Sequence, residues 1–496
     1  MKKPSQNPGA TPAVLVKKDT ENKKPTSLTP RPLARPPAQH GVRYQLVMKL
    51  HEQLTRLYNK PTTAEEKEAV IQKTLDIEEE TAKTKAAAYR SAMGHLILRL
   101  MKLTPAQYAT EQKAKAAEDA KASASRGVEK PKANAVLNNY APPVTTGLSS
   151  DSEIAEARKL IHTSSVLSKY EYTLHPPSAA DIDKARKGLE AAGGYETCDR
   201  CSSRFCVFPG RRASDGALAT NGPCTYHSGR RFTSRPSFSS TWSCCDTTVG
   251  ETPGCSTSPS HVFKVSDPKR LSVTFAYITT PSNPEVDAEI SKHGDRALAL
   301  DAEMCYTTHG MEICRLSAVA FPSGEIVIDA LVRPFGEVLD FNTRFSGVTA
   351  EMLSSAAPWS PKPYPPSSTP IINPTLPIAS NPKLPILSSP LAARDALLKY
   401  ITPETLLIGH SLGNDLDVLR LCHATVVDTM VLFPHVKGWP LRNRLKWCVE
   451  RMLQREIQKE GEATGHDSVV DARCAGELVR WKVKDVLKKA KRAQTT

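Results

Sequence analysis

Residues 297–304 read Ala-Leu-Ala-Leu-Asp-Ala-Glu-Met, an apolar run that ends in two carboxylates, Asp301 and Glu303. On a strand, side chains at i and i+2 share a face. Two carboxylates at the end of a buried strand are costly unless a cation sits between them. A second apolar run, Thr405–Gly409, leads into His410-Ser-Leu-Gly-Asn-Asp415, so Asp415 falls at the start of a helix carrying Leu416 and Leu419. Farther on, Gly465-His466-Asp-Ser-Val-Val-Asp471 opens a last helix, with Asp471 one turn beyond His466. Taken singly these pieces are ordinary: a solvated strand end, an N-cap, a structural histidine. Asp417 and Asp467 are near neighbours with the wrong phase or spacing, and Asp428 is read as structural.

A second chemistry lies upstream. Seven of the 12 cysteines fall between Cys198 and Cys255, in the string Cys198-x2-Cys201, Cys224-x2-His227, Cys244-Cys245, Cys255, with His261 beyond. Thiolate and imidazole ligands in C-x2-C and C-x2-H pairs suit tetrahedral zinc, because a short turn lets both side chains of a pair point at one ion. Eight ligands make two four-coordinate sites. In a stretch poor in large apolar residues, the metal supplies folding energy that a core does not.

The elements that must position these groups follow from the pattern around them. Strand-like segments at Glu312–Phe321 and Glu325–Val332 follow the carboxylate pair, and a helix (LAARDALLKYI) precedes Thr405. This predicts an α/β domain over 296–491. Pro358 to Pro390 holds 11 prolines in 33 residues, read as a surface insertion at 356–391 that leaves the acidic site intact but can affect substrate entry. A zinc module is expected at 195–262 and a linker with some helix at 105–190. Residues 41–104 form a helical unit: Val47, Leu50, Leu54 and Leu57 share one helical face, Thr62 or Thr63 caps a second helix, and Tyr89, Met93, Leu96 and Leu100 mark a third. Such a unit is too small to bury much alone, so it is expected to dock on a partner or on the rest of the chain. Residues 1–40 read as a disordered basic tail.

Charge is concentrated at the ends. Of the formal +14, residues 1–60 carry 12 basic and 3 acidic side chains, and residues 436–496 carry 15 and 8. A polyanion such as RNA is one partner this favours. No apolar run approaches the ~18 residues a membrane helix needs, and no apolar stretch follows the basic N-terminus, so neither a membrane span nor a secretory signal is expected.

In order, the acidic motifs are D-x-E on a first strand, GH-x4-D at a helix entrance and H-x4-D in a C-terminal helix. This order resembles the DEDDh 3′→5′ exonucleases over residues 296–491. The words LALDAEMCYTT (298–308), RFSGVT (344–349), LIGHSL (407–412) and VVDTMVLFP (426–434) look like the Rex-type RNA exonucleases. Tyr89-Arg90-Ser91-Ala92 resembles the N-terminal region of the RNA exonuclease 1/RNA exonuclease 3 group. The cysteine cluster resembles the CHORD zinc module through Cys201-x3-Phe205, CTYH (224–227), WSCC (242–245) and Gly254-Cys255 before His261. Its first pair is closer than usual there, which leaves Cys198 or Cys206 as the ligand.

The resemblance implies a ribonuclease H-like fold, a mixed sheet flanked by helices. Asp301, Glu303, Asp415 and Asp471 would hold two Mg²⁺ or Mn²⁺ ions about 3.5–4 Å apart, with His466 as general base. It implies release of nucleoside 5′-monophosphates from RNA 3′ ends, 3′-end maturation of small structured RNAs, and a nuclear and cytoplasmic setting. The zinc module would hold two structural Zn²⁺ and, with the helical unit, would serve protein partners. The alternatives are a scaffold with a vestigial nuclease, or an exonuclease acting on DNA or short oligonucleotides.

Overall fold

The computed structural model describes residues 27–31, 33, 37–84, 89–110, 142–233, 240–374, 383–458 and 465–495. Most of the expected basic tail, much of the expected linker and the centre of the Pro-rich insertion lie outside the described residues. The chain divides into two units, 1–132 and 133–496.

The first unit is built on three helices, α1 (His40–Leu57), α2 (Ala64–Thr84) and α3 (Tyr89–Lys102). Thr63 is the cap of α2. Its hydroxyl accepts from the Glu66 amide at 3.1 Å, and the Glu66 carboxylate accepts from the Thr63 amide at 3.1 Å, a reciprocal capping box. The apolar faces meet in a core of Leu50, Leu54, Leu57, Val70, Met93, Ile97 and Leu100. Inside it, Arg43 grips Glu78 through two 2.8 Å bonds, and the Tyr89 hydroxyl donates to the same carboxylate at 2.6 Å.

The second unit is organised by a seven-stranded mixed sheet. Its strands are β1 (Ala297–Thr307), β2 (Gly310–Ala320), β3 (Ile326–Val332), β4 (Val338–Asp340), β5 (Ile386–Leu387), β6 (Leu406–Gly409) and β7 (Val426–Asp428). The spatial order is β5-β3-β2-β1-β6-β7, with β4 added to the far end of β1. β1, β2 and β3 form an antiparallel meander, whereas β6 and β7 run parallel to β1. A meander extended by two parallel strands on the β1 side is the ribonuclease H-like fold that the motifs implied.

Strand alternation sorts the core. Leu298 and Leu300 face a layer holding α7 (Pro390–Leu398) and α8 (Gly413–Leu419), through Ala393, Leu397, Leu416 and Leu419. Ala297 and Ala299 face α9 (Ser468–Thr495), through Val469, Ala472, Ala475 and Val479. The small residues on that face let the long helix lie close to the sheet.

Two expectations need correction. Residues 142–174, expected as linker, are part of this core. Helix α4 (Ser150–Arg158) packs Ile154 and Ala157 beside α9, and α5 (Ser164–Lys169) buries Leu167 on the other face. Glu153 closes a buried two-bond ion pair with Arg480 at 2.7 and 3.1 Å. The segment lacks a long apolar period, which is why its sequence looks like a connector. The Pro-rich insertion is likewise no simple surface loop. Tyr364 donates to the Ala297 carbonyl at 3.0 Å beneath Arg296, and the Lys362 backbone exchanges bonds of 3.0 and 2.7 Å with the Tyr400 hydroxyl. These contacts lie at the start of β1, four residues before Asp301.

Candidate active site and zinc clusters

Strand parity carries Asp301 and Glu303 onto the α9 side of β1, in register behind Ala297 and Ala299. β6 pairs with β1 only as far as Ala299 and leaves the sheet after Gly409. The β1 backbone beyond is therefore open on that edge, and the Ala302 amide donates to Asp415 Oδ1 at 2.9 Å. Asp415 is the third residue of α8. Asp471 lies on the first turn of α9, and its Oδ2 accepts from Gln458 Nε2 at 2.5 Å. The site thus occupies the crevice where β6 diverges from β1 at the carboxyl ends of the strands, the usual ligand position in open α/β sheets.

The electrostatics fit a cation site. Burial, then the charges of Asp471, Glu303 and Asp415, push the Asp301 carboxyl well above the usual carboxylate range. Burial and then Asp471 do the same to Glu303, and burial dominates at Asp415, opposed by the Ala302 amide. Burial raises Asp471 to about 7. Arg315, whose charge acts on Asp301, Glu303 and Asp471, is itself ion-paired to Asp329 and Asp467. Four crowded hard-oxygen ligands with uncompensated charge suit Mg²⁺ or Mn²⁺.

His466 lies two residues before α9, the helix that carries Asp471. Its amide donates to the Phe345 carbonyl at 2.7 Å, and its ring stands edge-on to the Phe345 ring at 5.9 Å. Phe345 belongs to α6 (Thr343–Ser346), within the RFSGVT word, and is 48% exposed. The two segments cross where Gly465, at φ 70°, passes Gly347; a Cβ on Gly465 would lie 2.3 Å from the Gly347 nitrogen. Burial, then Lys446, lowers the His466 pKa, which keeps the imidazole neutral near pH 7. Among the described residues its ring nitrogens have no hydrogen-bond partner, so they are available to substrate.

Sequence reasoning reads Asp428 as structural and misses the other groups that hold these residues in place. Arg315, opposite Glu303 on β2, bonds Asp329 at 2.9 and 3.1 Å and Asp467 at 3.2 Å. Asp467 therefore belongs to the support of the site, and Ser317 meets Ser468 at 2.6 Å beside it. Asp428 accepts from the amides of Ser411, Leu412 and Met430 at 2.8–3.1 Å and from the Tyr172 hydroxyl at 2.6 Å. It fixes the turn that delivers Asp415. Asp417 points away, to Tyr277 at 2.8 Å and Thr173 at 2.9 Å. Tyr172 and Thr173 lie over 200 residues from their partners, and no local signal marks them.

The cysteine cluster folds into two tetrads: Cys198, Cys201, Cys224 and His261, and His227, Cys244, Cys245 and Cys255. Within each, all four ligand atoms lie within 4.8 Å of one another. Cys198 and Cys224 sulfurs are 3.7 Å apart, and Cys201 lies 3.3 Å from His261 Nδ1, spacings suited to tetrahedral zinc. The expectation that Cys224 and His227 share one ion is corrected. Cys224–Tyr226 is a short strand paired with Ser256–Ser258, so the chain carries Cys224 into one tetrad and His227 into the next. Cys198 takes part and Cys206 does not; the Cys206 thiol points at the Gly193 carbonyl instead. Trp242 stacks on His227 at 4.6 Å, which orients that ligand ring.

Residues 41–121 match the family described as RNA exonuclease 3 N-terminal domain. The chain is 38% identical to RNA exonuclease 3 of Emericella nidulans, over 92% of this chain and 71% of that protein. It is 34% identical to RNA exonuclease 3 of Schizosaccharomyces pombe, over 58% of this chain and 44% of that protein. It is 31% identical to human RNA exonuclease 1 homolog, over 63% of this chain and 22% of that protein. Among solved structures, the Neurospora crassa Pan2 catalytic unit aligns with a TM-score of 0.31 at 21% identity, covering 40% of this chain and 29% of that one. Since the match to the Emericella protein spans nearly the whole chain and most of its relative, the chain belongs to the RNA exonuclease 3 family.

Proposed function

We propose that this chain is a 3′→5′ exoribonuclease that removes nucleoside 5′-monophosphates from RNA 3′ ends. The observation that carries the reading is the convergence of Asp301, Glu303, Asp415 and Asp471 on one crevice, with their negative charge unbalanced. Two Mg²⁺ or Mn²⁺ ions bound there would neutralise that charge and act as Lewis acids toward the scissile phosphate. His466, neutral and with free ring nitrogens, takes the proton of the attacking water. Phe345, exposed beside it, offers a face on which a terminal base can stack, and Arg344, whose guanidinium lies 5.6 Å from that ring, is placed for a phosphate. Lys482, Lys484 and Lys488 on α9 add non-specific attraction for the backbone. The names of the relatives support RNA as the substrate. We assign the chain to 3′-end trimming of small structured RNAs in nucleus and cytoplasm, with the helical unit available to protein partners.

The test is single-stranded RNA and DNA of one sequence, labelled at either end and incubated with Mg²⁺. Mononucleotides released first from the 3′ end of RNA, and lost in Asp301→Asn, support the reading. Undiminished activity in Asp301→Asn, or degradation from the 5′ end, overturns it.

A further inference from the structure

Arg200 stands between Cys198 and Cys201, two ligands of the first tetrad, yet its side chain leaves the zinc module. Its Nη1 donates to Asp340 Oδ2 at 2.6 Å and to Ser258 Oγ at 2.8 Å, and Ser258 donates to the same carboxylate oxygen at 2.9 Å. The guanidinium lies 5.1 Å from the centre of the Tyr226 ring and 5.3 Å from that of Tyr306. Tyr226 belongs to the zinc module. Tyr306 is on β1, three residues beyond Glu303. Around this contact, Cys198, Phe205, Cys224 and Phe263 share one buried cluster with Leu339 of β4.

Asp340 passes the connection on. Its other oxygen accepts from the Asn342 amide at 2.7 Å, holding Asn342 at φ 53° at the entrance to α6. The next residues are Thr343, Arg344 and Phe345, and the Phe345 carbonyl holds the His466 amide. Each step in this line is a direct bond between a charged or backbone group and its neighbour. Arg200 and Asp340 are both largely buried, at 13% and 22% side-chain exposure, so water competes poorly for the pair.

We propose that Arg200 is a positioning residue through which the first zinc cluster sets the 340–347 segment, and with it Phe345 and His466. The zinc module is then a fixed wall of the RNA entrance. When zinc leaves the first tetrad, the C-x2-C turn that aims Arg200 relaxes and the segment loosens, although the acidic site is untouched. This rests on the exoribonuclease reading for its effect on RNA, but not for the coupling itself.

The experiment compares full-length wild type with Arg200→Ala, Arg200→Lys, Asp340→Asn and the Arg200→Ala/Asp340→Asn double variant. Zinc content is measured for each. Loss of a buried charged bond should speed hydrogen exchange of the 340–347 amides by about tenfold in either single variant, and the double variant should add little to it. KM for a single-stranded oligoribonucleotide should rise about tenfold as Phe345 loosens, kcat should fall as His466 loosens with it, and Arg200→Lys should recover part of both losses. Unchanged exchange in a zinc-replete Arg200→Ala protein, or effects that simply add in the double variant, would overturn the proposal. If Arg200→Ala loses zinc, Asp340→Asn decides: it lies outside the module, and unchanged exchange there is equally fatal. If the wild type does not degrade RNA, the functional reading falls, and exchange alone still settles the coupling.

Discussion

Arg315 and Asp467 form a 3.2 Å ion pair that ties the second strand of the sheet to the residue following His466. Arg315 is at the same time the bidentate partner of Asp329, whose side chain is 7% exposed. The two carboxylates therefore depend on it unequally. Arg315→Ala strands the buried Asp329 charge and should destabilise the protein by about 3–5 kcal/mol, read by urea unfolding. Asp467→Asn, at a 39% exposed side chain, should cost under about 1 kcal/mol yet lower kcat. Equal stability loss in both variants would contradict this division.

The carboxylate cluster gives the stability a particular pH dependence. Folded-state pKa values are raised, with Asp471 at about 7 and Asp301, Glu303 and Asp415 well above their usual range. Groups raised in this way contribute most below their unfolded pKa near 4, and the contribution is lost as pH rises through the folded values. Metal-free protein should therefore lose thermal stability between about pH 4 and pH 7 and beyond. Mg²⁺ should raise Tm more at about pH 8 than at about pH 5.5. A Mg²⁺ shift that is the same at both pH values would argue against the cluster as the ion site.

His466 and Phe345 should separate kinetically. His466→Ala should lower kcat by about 10²–10⁴ with KM little changed, and should abolish the acid limb of the rate profile. That limb should lie below the ordinary histidine value, because burial lowers the pKa and protonation removes the base. Phe345→Ala should instead raise KM. Steady-state kinetics on one oligoribonucleotide across pH can check both.

Metal analysis can check the tetrads. Cys198→Ser should bring bound zinc down by one equivalent, whereas Cys206→Ser should leave zinc content unchanged, because Cys206 lies outside both groups. The reverse result would return Cys206 to the ligand set.

A chain beginning at residue 179 should fail to fold its nuclease sheet, while one beginning at residue 142 should succeed. Within the full chain, Glu153→Ala leaves Arg480 buried without its partner and should cost about 3–5 kcal/mol. Circular dichroism and thermal melts distinguish these outcomes.

The acidic motifs are legible because each pairs a catalytic residue type with its own local element. Asp301 and Glu303 end an apolar strand, and Asp415 and Asp471 open helices. Strand parity alone places the first pair on one face. What supports them is not local. Tyr172 reaches Asp428 across 256 positions, and Glu153 reaches Arg480 across 327; neither has a sequence signature. The cysteines and histidines of the two tetrads are legible as a set but not as a partition, because a three-residue strand is enough to send Cys224 and His227 to different tetrads. Asp467 has the wrong spacing for a ligand and is a support instead, a role that spacing rules do not read.

The two ends of the Pro-rich insertion meet in the sheet itself. The Ile386 amide donates to the Ala357 carbonyl at 2.7 Å, and the Trp359 amide donates to the Ile386 carbonyl at 3.0 Å. Because the loop is pinned shut at its neck, the entropy of closing it grows only slowly with the residues it contains. The strands beside the neck, β3 and β5, should then keep their pairing when residues are added to the loop or taken from it.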